Sequence, residues 1–260
     1  DAAVAALCRA LPLQKQAYGI SMICNSLAAI GTKAAREALL TQRASSEPQR
    51  KTAGTQALQN LQQRSPAYNY IHQAKAHLQN KQEKEAIELF GIALQIDPQL
   101  ADAYLGRGEL ALKKEKWADA ASDLGKAYEL DQYNGLACSG YAVALIMQDQ
   151  AAKALETIEA ARERLKGDVN FHYNAGCVYG RIVEKLLADP DAKDRDARLA
   201  AGRKQALADL EAGVKAGYKD FAWMRKDPDL KSLHDLPEFQ KIAKGPEGAA
   251  NDATPEDDDN

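Results

Sequence analysis

The feature that most constrains the fold is a 34-residue register, in which three segments starting at Ala67, Ala101 and Gly135 align without gaps. Small residues recur at the eighth, twentieth and twenty-seventh positions, and a bulky apolar residue recurs at the twenty-fourth. These residues are Ala74, Gly108 and Ala142; Ala86, Ala120 and Ala154; Ala93, Ala127 and Ala161; and, at the twenty-fourth position, Phe90, Leu124 and Ile158. Because only Ala or Gly lets two helix backbones approach closely, the register predicts antiparallel helical hairpins at 67–98, 101–132 and 135–166.

A fourth unit follows at 169–215, with Gly176, Ala206, Leu210 and Gly213 in the corresponding slots. Its first helix is predicted to end near Leu186 and its second to begin near Leu199. This unit has eighteen extra residues between the equivalent positions, and the connection between its two helices, which holds the acidic stretch 189–196, is predicted to be a solvated loop. This stretch does not fit a calcium-binding EF-hand, because Lys193 takes the third ligand position and the turn glycine is missing.

These residues resemble the tetratricopeptide repeat family over roughly residues 67–243. The final part, with Ala216-Gly217-Tyr218 and Leu236-Pro237-Glu238-Phe239, is similar to the closing segment of planctomycete-type bacterial multidomain proteins. The resemblance implies an all-α fold, namely a right-handed α-solenoid of tetratricopeptide-type hairpins. It also implies that residues 218–243 form short helices that cover the apolar end of the stack.

The N-terminal region predicts four further helices: one that Pro12 ends, and three more at 14–30, 33–43 and 49–63, with Gly31 and Pro48 at their boundaries. The string from Ser26 to Leu40, in which one helix ends in Gly and the next starts at once, resembles a HEAT-type repeat. The predicted domains are therefore a HEAT-like N-terminal segment or cap at 1–64, a repeat array with capping helices at 65–244, and a disordered acidic tail at 245–260.

In the tetratricopeptide family, the first helices of successive hairpins line a concave groove, and the resemblance implies that the same positions form a protein-binding groove here. The predicted groove residues are Tyr68, Ile71, Lys75, Leu105, Glu109, Leu136, Ser139, Val143, Ile146, Asn170, Tyr173 and Asn174. Gly106 and Gly140 occupy equivalent positions and are expected to lower the groove floor. An alternative is that segments of the same chain fill the apolar centre of the groove.

One class of partner is made improbable by the groove positions. Chaperone-binding members of the family grip a C-terminal carboxylate with Lys, Arg and Asn side chains from the first three units. Here those slots hold Ile71, Lys75, Gly106, Leu136 and Gly140. The chain is therefore not expected to be a receptor for chaperone C-terminal tails.

The sequence lacks the common motifs of catalytic and cofactor-binding sites. It contains no phosphate-binding loop, dinucleotide glycine pattern, G-x-S-x-G or H-E-x-x-H motif, and its four cysteines form no C-x-x-C pair. The formal net charge is −3, and the segment from residue 247 carries six acidic residues, so the rest is too nearly neutral for a nucleic-acid footprint. We therefore expect no cofactor, no metal site and no membrane span.

The sequence thus predicts a non-catalytic scaffold or adaptor that binds a protein or peptide segment. An alternative is the regulatory or substrate-recruiting C-terminal region of a larger enzyme, such as a Ser/Thr kinase or a protease, with its catalytic domain upstream. The location stays open between the bacterial cytoplasm and an extracytoplasmic compartment reached after removal of a signal peptide.

Overall fold

The structure is a computed structural model that describes residues 2–245, and it contains no strand within that range. Two 3-10 helices, Leu11–Leu13 and Pro228–Leu233, accompany fourteen α-helices in the described residues. The α-helices are α1 (Ala2–Ala10), α2 (Ala17–Ile30), α3 (Lys33–Arg43), α4 (Pro48–Gln63), α5 (Ala67–Gln79), α6 (Glu83–Ile96), α7 (Ala101–Lys113), α8 (Trp117–Leu130), α9 (Gly135–Ile146), α10 (Ala151–Arg162), α11 (Val169–Ala188), α12 (Arg195–Ala216), α13 (Phe221–Met224) and α14 (Pro237–Lys244).

The described residues divide into two compact units between Tyr133 and Asn134. The first unit holds α1 to α8, and the second holds α9 to α14. The boundary predicted between residues 64 and 65 lies within the first unit, and the predicted acidic tail lies outside the described residues from residue 246 onward.

The helical hairpins confirm the 34-residue register. The first helices of the four hairpins, α5, α7, α9 and α11, begin at Ala67, Ala101, Gly135 and Val169, each 34 residues after the last. Every residue assigned to a small or bulky repeat position is buried, in the interrupted fourth unit as well as in the first three. The periodic residues are therefore the ones that hold each hairpin together.

Contacts of two glycines show why the eighth position must be small. A Cβ atom added to Gly108 on α7 would lie 2.7 Å from Cγ of Leu124 on α8. The equivalent Gly176 on α11 is as tightly placed, with Leu210 Cδ2 at 2.8 Å from such a Cβ. The two helices of a hairpin cross here, and the bulky twenty-fourth residue takes the space that a side chain at the eighth position would need.

The turns within the first three hairpins share a backbone feature that the sequence does not reveal. Lys81, Glu115 and Asp149, again 34 residues apart, adopt left-handed backbone conformations with φ of 59°, 55° and 60°. This conformation favours glycine, yet none of the three residues is Gly or Asn, the types that most often signal it. The repeat therefore imposes the turn geometry even on Lys81 and Glu115, whose residue types rarely adopt it, whereas Asp149 is of a type that adopts it more readily.

The connection in the fourth hairpin is shorter than predicted, because α11 ends two residues later and α12 begins four residues earlier than expected. Residues 189–194 alone connect the two helices, and most of the extra residues lengthen α11 and α12. Leu186 and Leu199, near the facing ends of the two helices, are buried, which favours continued helix over loop. Arg195 Nε also donates a hydrogen bond to the Leu186 carbonyl oxygen at 2.9 Å and satisfies one carbonyl at the end of α11.

The N-terminal helices do more than close one end of the repeats. Arg36 and Arg43 lie one above the other on α3, about 10.5 Å apart along the axis. Arg36 pairs with Asp97 at 3.5 Å, and Arg43 pairs with Asp131 at 2.6 Å. Because Asp97 and Asp131 hold the same position in successive hairpins, α3 runs across both hairpins of the first unit.

Candidate functional site

Four accessible predicted groove residues lie on α5 and α7 in the first unit. Tyr68 and Leu105 are half-buried, and Lys75 and Glu109 are exposed. Three further accessible residues share these helix faces, and together we call them the α5–α7 surface. The surface comprises Tyr68, His72, Lys75, Asp102, Leu105, Glu109 and Leu112.

Two electrostatic effects link side chains of α5 with side chains of α7. The Asp102 carboxylate adds to burial in raising the pKa of Tyr68. Two turns further along, desolvation raises the pKa of Glu109, and the positive charge of Lys75 acts in the opposite direction. Glu109 is exposed to solvent, and its carboxylate is the acidic group of α7 nearest in sequence to Leu112 on this surface.

Two predicted features of this surface are wrong. Ile71 is only 1% exposed and belongs to the core between α5 and α6, so it cannot contact a partner. Gly106 does not lower a groove floor, because a Cβ atom there would lie 2.4 Å from Cζ of the buried Phe90. The missing side chain at position 106 instead makes room for the Phe90 ring, which packs between the two hairpins.

On α9, in the second unit, half of the predicted groove residues are accessible. Leu136 is 39% exposed and Val143 is half-buried, whereas Ser139 and Ile146 are 1% and 0% exposed. Ser139 Oγ donates a hydrogen bond to the Gly135 carbonyl oxygen at 2.8 Å, within its own helix. Ser139 and Ile146 are therefore structural residues, and the prediction that they face a groove is wrong.

On α11, Asn170 is exposed and Asn174 is half-buried, but Tyr173 is covered by the end of the same unit. The Tyr173 hydroxyl donates a hydrogen bond to Asp227 Oδ2 at 2.6 Å. Its ring stacks on Tyr218 with centroids 4.1 Å apart and the planes inclined by 4°. Burial raises the pKa of both phenols, to about 12 for Tyr218, so both hydroxyls stay protonated. Tyr173 thus holds part of the chain in place and does not face a groove.

The covering part, residues 218–245, is here called the closing segment. It contacts α11 through two hydrogen bonds: Ser232 Oγ donates to the Gly180 carbonyl oxygen at 2.7 Å, and Arg181 Nε donates to Asp229 Oδ1 at 2.6 Å. A Cβ atom at Gly180 would lie 2.4 Å from the Asp229 carbonyl oxygen. The closing segment therefore covers the part of α11 predicted to face a groove, and the twelfth position must be Gly because the closing segment passes over it.

One group of side chains in the second unit has the composition of a metal site. Ligand atoms of Cys177, Asp227 and Asp229 lie within 4.8 Å of one another. However, Asp227 accepts hydrogen bonds from the Tyr173 hydroxyl, the Cys177 thiol and the Asp229 backbone N–H, and Asp229 is paired with Arg181. Burial also raises the pKa of the Cys177 thiol, which disfavours the thiolate that would bind a metal or act as a nucleophile. The group is a hydrogen-bonded network that fixes the closing segment.

Comparisons with known proteins give fold-level likenesses only. No protein-family model and no curated protein matches the chain. Among solved structures, YrrB, "a TPR protein with an unusual peptide-binding site", is 21% identical over 69% of this chain and 95% of its own, with a TM-score of 0.41. The Cut9–Hcn1 complex of the APC/C is 13% identical, with 95% and 55% covered and a TM-score of 0.40.

A third solved structure, a human IFIT1 dimer with m7Gppp-AAAA, is 14% identical over 86% of this chain and 65% of its own, with a TM-score of 0.34. The chain thus spans little more than half of the Cut9–Hcn1 chain and about two thirds of the IFIT1 chain. Within residues 2–245, no helix is both long enough and apolar enough to cross a bilayer.

Proposed function

We propose that the chain is a non-catalytic protein-interaction scaffold that binds a segment of another protein on the α5–α7 surface. The observation that carries the proposal is the contrast between the two sides of each hairpin. The repeat residues behind α5 and α7 are fully packed, while Lys75, Leu105 and Glu109 remain accessible on adjacent helices. Rigid helices that present apolar and charged side chains together are suited to a peptide or a partner helix.

A scaffold role accords with the chemistry of the second unit as well. One of its two buried thiols, Cys177, is held in the network beneath the closing segment and has a raised pKa. Accessible residues on α9 and at the start of α11, namely Leu136, Val143, Asn170 and Asn174, offer a second surface for a partner.

The proposal is tested by affinity capture with the full chain and two matched variants. Leu105→Asp places a charge on the α5–α7 surface, and Ile92→Asp places one at an exposed apolar residue on α6. A bound protein that is lost with Leu105→Asp and kept with Ile92→Asp is then purified, and its Kd is measured. A bound protein that tolerates Leu105→Asp, or that is lost equally with both variants, contradicts the proposal.

A further inference from the structure

The charges of the α5–α7 surface restrict what it can bind. On α7, Asp102 and Glu109 are seven residues apart and therefore lie on one helix face, about 10.5 Å apart along the axis. Leu105 lies between them, and Leu112 follows one turn beyond Glu109. The helix thus presents carboxylate, leucine, carboxylate and leucine in sequence. The facing helix α5 supplies one opposing charge, Lys75, together with the edge-to-face pair of Tyr68 and His72, whose ring centroids are 4.7 Å apart.

Neither carboxylate is well satisfied within the chain. Glu109 makes no hydrogen bond and no ion pair with any residue between 2 and 245. Asp102 accepts one long hydrogen bond, from Gln62 Nε2 at 3.5 Å. For Glu109, desolvation raises the pKa more than the positive charge of Lys75 lowers it. A carboxylate that lacks an intramolecular ion pair gains from a cationic partner, and the gain is largest where the least water screens the pair.

We propose that the α5–α7 surface selects a segment whose exposed face alternates cationic and apolar side chains, with lysine or arginine groups reaching Asp102 and Glu109 around an apolar residue that contacts Leu105. This inference rests on the proposed function and adds the chemistry of the partner to it. A helix with cations at i and i+7 and an apolar residue at i+3 or i+4 has the matching spacing. The positive charge of Lys75 repels the cationic side chains of such a segment and therefore lowers the affinity of the surface for it.

The test uses short acetylated and amidated peptides that share one leucine-containing helical framework and differ at the two charged positions, which hold lysine, glutamate or glutamine. Binding to the full chain is measured by fluorescence anisotropy. We expect the lysine peptide to bind most tightly, with an affinity that falls as salt rises from ~0.05 M to ~0.5 M. Tighter or equal binding of the glutamate peptide, or no binding of any peptide, overturns the inference.

Variants of the chain separate a specific contact from general attraction. Glu109→Gln is expected to weaken the lysine peptide by about 3- to 10-fold, the range of a partly screened charge pair. Lys75→Gln is expected to strengthen the lysine peptide and to weaken the glutamate peptide. Glu88→Gln, at an exposed carboxylate on α6, is the matched control and should leave both affinities unchanged. If Glu88→Gln weakens the lysine peptide as much as Glu109→Gln does, the inference is wrong.

The two proposals fail in distinguishable ways. If the lysine peptide does not bind but a cellular partner is still lost with Leu105→Asp, the surface binds proteins of other chemistry and only the inference falls. If the partner tolerates Leu105→Asp, the proposed function falls as well, whatever the peptides do.

Discussion

Two helical glycines, Gly91 in the first hairpin and Gly108 in the second, allow a paired test of the repeat packing. Gly108 lies in the middle of α7, and Gly91 lies in the middle of α6. Replacing a helical glycine by alanine stabilises a helix by about 0.8–1 kcal/mol when the new methyl group meets nothing. This is the situation at Gly91, where no atom lies within 4 Å of an added Cβ. We therefore expect Gly91→Ala to raise the free energy of unfolding by about 1 kcal/mol.

At Gly108 the same methyl group has no room. It would lie 2.7 Å from Leu124 Cγ and 2.9 Å from Leu124 Cδ2, and Leu124 is fully buried. Because Leu124 cannot move into solvent, the helices must separate, and overpacking of this kind costs about 1–3 kcal/mol. The cost of overpacking is larger than the stabilisation of about 0.8–1 kcal/mol that alanine gives through its helix propensity. We expect Gly108→Ala to be less stable than Gly91→Ala by roughly 1–3 kcal/mol.

The assay is urea unfolding of the full chain followed by tryptophan fluorescence. The chain has two tryptophans, Trp117 in the first unit and Trp223 in the second, so a Trp223→Phe background makes the signal report on the first unit. Both variants should keep the wild-type dependence of stability on urea. Equal stabilisation by Gly91→Ala and Gly108→Ala would refute the reasoning, because it would mean that α7 and α8 do not cross at residue 108.

Three further outcomes are expected. Tyr173→Phe removes the hydroxyl that donates to Asp227 and should destabilise the second unit by about 1–3 kcal/mol in Trp223 fluorescence, whereas Tyr179→Phe, whose hydroxyl donates to the exposed Glu159, should have little effect. Glu115→Gly relieves a left-handed residue with φ of 55° and should stabilise the first unit in thermal unfolding by ~0.5–1 kcal/mol, once the entropy of glycine is subtracted. The pKa of Glu109 is raised in the folded state, so ionisation of this carboxyl group reduces the free energy of unfolding as pH rises above the unfolded pKa of about 4.3. Glu109→Gln should therefore be more stable than wild type in urea unfolding at pH 7. The two proteins should be equally stable below about pH 4.

The hairpins could be predicted because their determinants are local and periodic. The sequence shows where two helices cross through pairs such as Ala74 with Ala86 and Gly108 with Leu124, since no other residue types fit that contact. The exact ends of the two helices in the fourth hairpin could not be predicted in the same way. Its connecting residues are polar, and burial of Leu186 and Leu199 depends on tertiary packing beyond the repeat.

The candidate site was predictable only as a set of positions. The family pattern indicates which positions face a groove, but it does not show which of them the chain buries. Ile71 and Ile146 are buried in the core, because an apolar side chain at the edge of a helix face is more stable packed against a neighbouring element than in contact with water. The cover over Tyr173 comes from Asp227, more than fifty residues later, and no local signal links the two.

The most direct test of the account is a map of chemical-shift changes in the isotope-labelled full chain during titration with a purified partner that depends on Leu105. The account predicts that the largest changes fall on Tyr68, Lys75, Leu105 and Glu109, with small changes on α6 and in the closing segment. Changes concentrated on α6 or α8, or on residues 218–245, with the α5–α7 surface unaffected, would contradict it.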